Sequence, residues 1–424
     1  MAGLMFACSV YELTPEFEAN IRREFADNIK RIRHHASLGL WCGNNEMEMF
    51  IDRGLWVTEK AQIRDYLVLF ERIIPQVLKQ YDPDHFYWPA SPSSGGSFDE
   101  PNSPDRGDVH YWDVWHGMKP FSDYRSHYFR FCSEFGFQSF PERKTIDTFA
   151  LPQDCNIFSP VMESHQKNGT ANGKILYYIS ENFRYPKDFD SLVYVSQVLQ
   201  GIAIKAGVDH WRANRGRCMG ALYWQLMITG QWHHGQVSTI WTMEGTSLHG
   251  SPFLCTKGRL YLYRGTKAVI SAANETLESQ SLTVTVRIRD VELNVLFEET
   301  VETTVKAQSS IHVLERDFAD VIGSKKRRVF AEAVYTWQDG TTSTEAESFV
   351  PYKHMDLLQP QIETSVTEKD GTIEIQISAD CFAPFVWLEI EDDVIFSDNC
   401  FDLTSEETKN NLHTKGRCSV RKGA

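Results

Sequence analysis

Trp41-Cys42-Gly43-Asn44-Asn45-Glu46 and Ser133-Glu134-Phe135-Gly136-Phe137-Gln138-Ser139 each set one carboxylate at the end of a short apolar run. Two acidic side chains delivered by separate strands to one rim of a parallel barrel are what glycoside hydrolysis needs, one as proton donor and one as nucleophile. Outward from these stretches, Thr14 ahead of Pro15 and Glu16 marks a helix start. Phe17, Ile21, Phe25, Ile29 and Ile32 then recur at helical spacing. The pattern predicts a short strand over 37–41 and a second helix over roughly 57–78, stopped by Asp82-Pro83. Compact strand candidates follow at 86–88, 109–112, 129–132 and 221–224, with a helical pattern over 191–205. Alternating strands and helices imply a parallel α/β sheet, either doubly wound or a barrel, and polar groups at the strand ends favour the barrel.

From about Leu260 the period changes. Leu282, Val284, Val286 and Ile288 alternate with Thr283, Thr285, Arg287 and Arg289, the signature of a half-buried strand. Residues 329–335 and the series Ile373, Ile375, Ile377 repeat it, with Asp339-Gly340 and Asp370-Gly371 as turns. This half reads as β-sandwich material in two modules meeting near 351–360, and the tail from about Asn410 reads as polar chain without a strand pattern.

Composition narrows the function classes. A net charge of −14 over 424 residues disfavours nucleic acid or an anionic membrane as partner. The run Lys325-Lys326-Arg327-Arg328 reads as a solvated turn. Nine cysteines without CxxC or Cys/His spacing argue against a disulfide framework or a zinc site. Two sequons, at Asn168 and Asn274, would permit glycosylation, and no apolar run reaches membrane-spanning length. His110-Tyr111-Trp112-Asp113-Val114-Trp115-His116 joins aromatic faces to hydrogen-bonding groups, a combination suited to carbohydrate.

WCGNNE and SEFGFQS, with HYWDVWHG and GALYWQL in the same order, resemble the C-terminal half of a family 2 glycoside hydrolase of the β-mannosidase type. The likeness runs from about residue 4 to 226 and more loosely to about 404. It implies a partial (β/α)8 TIM-type barrel, strands four to eight, over 1–250, followed by immunoglobulin-like β-sandwich modules over 251–350 and 351–424. It also implies that Glu46 is the acid/base, Glu134 the nucleophile, Asn45 a partner of the sugar 2-hydroxyl and Trp224 a stacking platform, with His110 and Trp112 in the pocket. The implied reaction removes terminal non-reducing β-D-mannose from glycoprotein oligosaccharides with retention, without cofactor or metal, in a lysosome-like compartment. On this reading Glu46 should be lifted in pKa by its surroundings and Glu134 should stay ionised.

The chain departs from that pattern in three places, one of them the polar, basic tail from about Asn410. The chain starts after the family's third barrel strand, so five strands are expected, too few to close a barrel, and the chain by itself is expected to be inactive. After WQL the family continues Asn-Asp-x-Trp-Pro, whereas Met227-Ile228-Thr229-Gly230-Gln231-Trp232 stands here. Restoring one base before the Met227 codon permits the family's run, which points to a frameshift over roughly 227–247. A related β-galactosidase, β-glucuronidase or exo-glucosaminidase, or a non-catalytic carbohydrate-binding remnant, are the alternatives.

Overall fold

A computed structural model describes residues 2–55, 57–225, 231–232, 236–237, 258–263, 265–369, 372–388, 396–405 and 409–415. The chain forms two compact units, one drawn from 1–117, 125–135 and 217–223 and the other from the remainder.

The first unit is built of parallel strand and helix units. Strand β1 (Ala2–Ala7) pairs parallel with β2 (Leu40–Asn45), and β2 pairs parallel with β3 (Phe86–Trp88). A second sheet has the order β4 (Val109–His110), β5 (Cys132–Gly136), β6 (Ala221–Trp224), with β4 and β5 parallel. Helix α1 (Pro15–Ile32) starts where Thr14 Oγ1 accepts the Phe17 amide at 3.2 Å, and it buries Ile21, Phe25 and Ile29. These join Phe6, Trp41, Phe70 and Ile74 in one core. After the short α2 (Met47–Asp52), the helix expected over 57–78 is three consecutive pieces. They are α3 (Lys60–Val68), a π-helical turn over Leu69–Ile73 and α4 (Ile74–Tyr81), with Pro75 near the start of the last piece. Proline cannot donate into the preceding turn, and a wider turn accommodates it.

Several strand expectations are corrected. β1 makes six strands in this unit where five were expected. Its residues alternate in exposure, but all are apolar or glycine, so the sequence carries no polar alternation to advertise a strand. The strand placed at 129–132 begins at Cys132, and the one at 109–112 ends at His110, because His116 and Gly117 turn back through hydrogen bonds to the Trp112 carbonyl.

The second unit contains the helix Phe189–Ala213, capped by Asp188 accepting the Ser191 amide at 2.8 Å. By length and composition this helix could cross a membrane, contrary to the expectation that no run is long enough, yet more than half of it is buried in the fold. Two short strands, β7 (Gln231–Trp232) and β8 (Gln236–Val237), pair antiparallel. The rest of the frameshift segment 227–247 lies outside the described residues. So do the turn residues Asp370-Gly371.

A β-sandwich follows. One sheet holds β9 (Gly258–Tyr263), β10 (Lys267–Asn274) and β13 (Ser309–Asp317). The other holds β11 (Gln280–Asp290), β12 (Val295–Val305), β14 (Val329–Trp337) and β15 (Thr342–Ser348). Leu282, Val284, Val286 and Ile288 of β11 share a core with Ala268, Ile270 and Ala272 of β10. The alternation read from the sequence thus faces inward between the sheets. A third set comprises β16 (Ile362–Lys369), β17 (Thr372–Ala379), β18 (Ala383–Val386), β19 (Phe401–Leu403) and β20 (Lys409–Lys415). β20 corrects the reading of the tail as patternless, since it runs antiparallel to β17. Backbone hydrogen bonds hold an outer strand of a sheet in place without requiring an apolar face.

Among the described residues the seven cysteines are free. The Asn274 sequon is structurally committed: its amide, 1% exposed, donates to the carbonyls of Glu278, Val305 and Lys306. Arg327 and Arg328 of the basic run pair with Asp356 and Glu292.

Candidate active site

Glu46 stands at the junction of β2 and α2 with φ of 63°, a left-handed conformation disfavoured for a residue with a side chain. Its amide donates to the Ser91 carbonyl at 2.7 Å, which fixes the turn. The residues before it explain how. Gly43 has no room for a Cβ, which would lie 2.3 Å from the Pro89 carbonyl oxygen and 2.4 Å from the Tyr87 hydroxyl. The buried Asn44 donates to the Pro89 carbonyl at 2.9 Å and accepts the Met47 amide at 3.1 Å, so it caps α2 and does not face a ligand. Glu134 lies on β5, where its carbonyl accepts the Tyr111 amide at 2.8 Å.

The two carboxylates meet across His110. Its Nδ1 lies 2.9 Å from Glu46 Oε1 and 3.6 Å from Glu134 Oε2, and its side chain is 1% exposed. One carboxylate oxygen of each glutamate and a ring nitrogen all lie within 4.8 Å of one another. Trp112 donates its indole N–H to Glu134 Oε1 at 3.1 Å. Asn45 Nδ2 contacts Cys8 Sγ at 3.5 Å, and the Cys8 thiol reaches Glu46 Oε2 at 3.3 Å. The first unit therefore gathers Glu46, Glu134, His110, Trp112 and Asn45. Trp224, at the end of β6, is half exposed and belongs to the second unit. Trp115, of the same motif as Trp112, is core at 1% exposure.

Beneath His110 runs a set of buried polar groups that sequence reasoning missed. His110 Nε2 lies 2.9 Å from Ser91 Oγ, and Ser91 donates to Asp108 Oδ2 at 2.6 Å. Ser133 also donates to Asp108 Oδ2. Trp88 Nε1 and the Ser93 amide donate to Asp108 Oδ1 at 2.8 and 3.1 Å. Ser133 opens one recognised motif and Asp108 precedes another, but single polar residues so placed carry no signal that separates them from surface.

The electrostatics run opposite to the sequence expectation. Burial lifts the Glu46 carboxyl, but the hydrogen bond and charge of His110, with help from the Cys8 thiol and His116, outweigh it and hold Glu46 below its ordinary value. Burial, opposed by His110 and reinforced by the negative Glu46, pushes Glu134 up. The cause is the lean of His110, closer to Glu46 than to Glu134. Burial and the facing Glu46 carboxylate push the Cys8 thiol up to about 12. Glu46, His110 and Glu134 are donor types found around divalent cations, but their short contacts are those of a hydrogen-bonded acid cluster, with both ring nitrogens committed to neighbours.

Comparison with known proteins finds likeness in the sandwich and along the whole chain. Residues 266–354 match the family described as "Mannosidase Ig/CBM-like domain" and residues 357–411 one described as "Ig-fold domain". A "Beta-mannosidase B" of Aspergillus clavatus is 35% identical over 240 residues, covering 52% of this chain and 28% of that protein. One from Thermothelomyces thermophilus is 28% identical over 460 residues, covering 95% of this chain and 52% of its own length. The chain therefore spans about half the length of that relative. The crystal structure of a β-D-mannosidase from Dictyoglomus thermophilum superposes with a TM-score of 0.87 at 27% identity, over 98% of this chain and 51% of that one. An exo-chitosanase from Amycolatopsis orientalis shares the fold with a TM-score of 0.69 at 13% identity, over 96% of this chain and 52% of that one. By these sequence and structural matches, the chain resembles the β-mannosidases of family 2 glycoside hydrolases over about half of their length.

Proposed function

We propose that Glu46 and Glu134 are the carboxyl pair of a retaining exo-β-mannosidase that removes terminal, non-reducing β-D-mannose from oligosaccharides. The observation that carries this is the approach of the two carboxylates to within 4.8 Å. Retaining enzymes hold the pair about 5–5.5 Å apart, whereas inverting ones leave room for water at about 6.5–9.5 Å. In this reading Glu134 attacks the anomeric carbon, Glu46 protonates the departing oxygen, and Glu46 then takes a proton from the water that releases the sugar. The first unit is read as strands of a (β/α)8 barrel. Trp112 orients Glu134 and Asn45 meets the 2-hydroxyl; for Trp224 a stacking role is what the resemblance implies. The role assignment and the mannose preference rest on the resemblance and on the β-mannosidase relatives, as does the lysosome-like compartment with its glycoprotein substrates.

Turnover of aryl β-mannoside, galactoside and glucuronide tests the proposal, measured on the 424-residue chain, expected to be inactive by itself, and on one lengthened to the span of its β-mannosidase relatives. Mannoside hydrolysis with retained configuration, abolished by Glu134→Gln, supports it. In Glu46→Gln, glycosylation by a substrate with an activated aryl leaving group should survive, because such a group departs without a proton. A preference for another sugar would move the chain to a related β-glycosidase. Mannoside binding without turnover, undisturbed by Glu134→Gln, would make it a non-catalytic module.

A further inference from the structure

We infer that Asp108, acting through Ser91, locks the His110 ring with a proton on Nε2, and so makes Nδ1 the atom that shares a proton with Glu46. The inference rests on the acid/base role proposed for Glu46 and gives that residue a positioning partner.

The protons around Asp108 fix those on the ring. Asp108 is 8% exposed and receives donors on both oxygens: Trp88 Nε1 and the Ser93 amide at Oδ1, Ser91 and Ser133 at Oδ2. An ionised carboxyl, with lone pairs on both oxygens, can accept from all four donors. Ser133 has a second neighbour that can only accept, the Val109 carbonyl at 3.3 Å. Ser91 owns one hydroxyl proton and has two oxygens in reach, Asp108 Oδ2 at 2.6 Å and Ser133 Oγ at 3.1 Å, and the shorter contact, to a carboxylate, directs that proton to Asp108. At Ser91 Oγ only lone pairs remain for His110, so Nε2 at 2.9 Å must be the donor.

The other face of the ring then has one arrangement of function. Nδ1 meets Glu46 Oε1 at 2.9 Å and Glu134 Oε2 at 3.6 Å. Cys8 and His116 also act on Glu46. With Nε2 protonated, Nδ1 offers Glu46 a lone pair, so any proton the two share lies on the line between Nδ1 and Glu46. It sits either on the ring, facing a carboxylate, or on Glu46, facing a lone pair. In the second form Glu46 can release the proton to the leaving oxygen, and the attacking water returns one in the next step. The other tautomer, with hydrogen on Nδ1 alone, would turn a donor toward Glu46 and leave it no proton to give.

The Asp108→Asn variant inverts this order. The carbonyl oxygen of its new amide must face the Trp88 and Ser93 N–H groups, so the amide NH2 points at the two serines. Ser91 then accepts from that NH2, and its freed proton has two acceptors in reach, Nε2 at 2.9 Å and Ser133 Oγ at 3.1 Å; taking the shorter contact, it expels the ring proton at Nε2. An Asp to Asn change that leaves a histidine in the wrong tautomer is a known route to losing a general acid or base.

The test is ¹⁵N NMR of the full chain labelled at histidine, with His110 assigned by its loss in His110→Gln. In the native chain Nε2 should be protonated. In Asp108→Asn, Nε2 should move to the unprotonated range and Nδ1 to the protonated one, while Ser91→Thr, which keeps the hydroxyl, should preserve the native pattern. An unprotonated Nε2 in the native chain, or an Asp108→Asn ring that keeps its Nε2 proton, overturns the inference. If Asp108→Asn does not fold, the native and Ser91→Thr spectra decide. Mannoside turnover measured on the same samples separates the two readings. Turnover with the wrong tautomer defeats only this inference, and the expected tautomer without turnover, in the lengthened chain as well, defeats only the hydrolase.

Discussion

At the scale of single residues, the opposite shifts of Glu46 and Glu134 make opposite demands on stability. A carboxyl raised in the fold, as Glu134 is, favours folding only while protonated. Its contribution is full below the unfolded value and is lost as pH rises through the folded one. Glu46, held low, contributes above its unfolded value and loses that contribution as pH falls through the folded one. Glu134→Gln should therefore raise the melting temperature at pH 7 by about 2 °C, with the gain vanishing in acid, whereas Glu46→Gln should lower it. Thermal melts of both variants across pH 4–8 check the signs, and equal shifts for the two would refute them. Cys8 offers a second test. Although the residue is exposed, partial desolvation of its thiol and the Glu46 charge push it up to about 12. Its alkylation at pH 8 should be slower than that of an unfolded-chain thiol and should quicken about tenfold or more in Glu46→Gln, read by mass spectrometry of the peptide carrying residue 8.

At the scale of elements, the close meeting of β2 and β3 decides where Glu46 can stand. An alanine at Gly43 would press on the Pro89 carbonyl and the Tyr87 hydroxyl, and backbone cannot yield as a flexible side chain can. Gly43→Ala should cost about 2–3 kcal/mol in a urea melt, the range of overpacked cores. In the sandwich, Glu332 of β14 is 1% exposed and bonds Arg287 at 3.1 Å and Arg289 at 3.0 Å, both on β11. Removing it leaves two cations without their shared partner, so Glu332→Ala should cost about 3 kcal/mol or more, and a loss below about 1 kcal/mol would show the group to be solvated.

These elements also show what a sequence can carry. The helix at Pro15 was legible because cap, proline and apolar spacing agree, and the sandwich strands because their two faces meet different surroundings. β1 and β20 were not, since pairing through backbone leaves no polar and apolar period to read. The carboxylates were legible through short motifs. Their companions Cys8, Ser91, Asp108 and Ser133 were not, because hydrogen bonds over 17 to 42 residues of separation have no local pattern. Nor could motifs reveal which carboxyl His110 would favour, since a difference of 2.9 against 3.6 Å belongs to packing.

At the scale of the whole molecule, the first unit is stitched from three separate stretches, 1–117, 125–135 and 217–223. The middle one carries Glu134 and the last supplies most of β6, the neighbour of β5. A chain ending at residue 216 should therefore leave the amides of β5 exchanging with solvent faster than in the full chain, as hydrogen exchange would record, and equal protection would show β6 to be dispensable. The same stitching sets a clock. At about 5–20 residues per second of synthesis, roughly 5–20 s pass between the ribosome's release of residue 117 and of residue 217. For most of that interval the nascent protein already owns both carboxylates but lacks the strand that borders the second, so the order of translation delays the assembly of the acid pair.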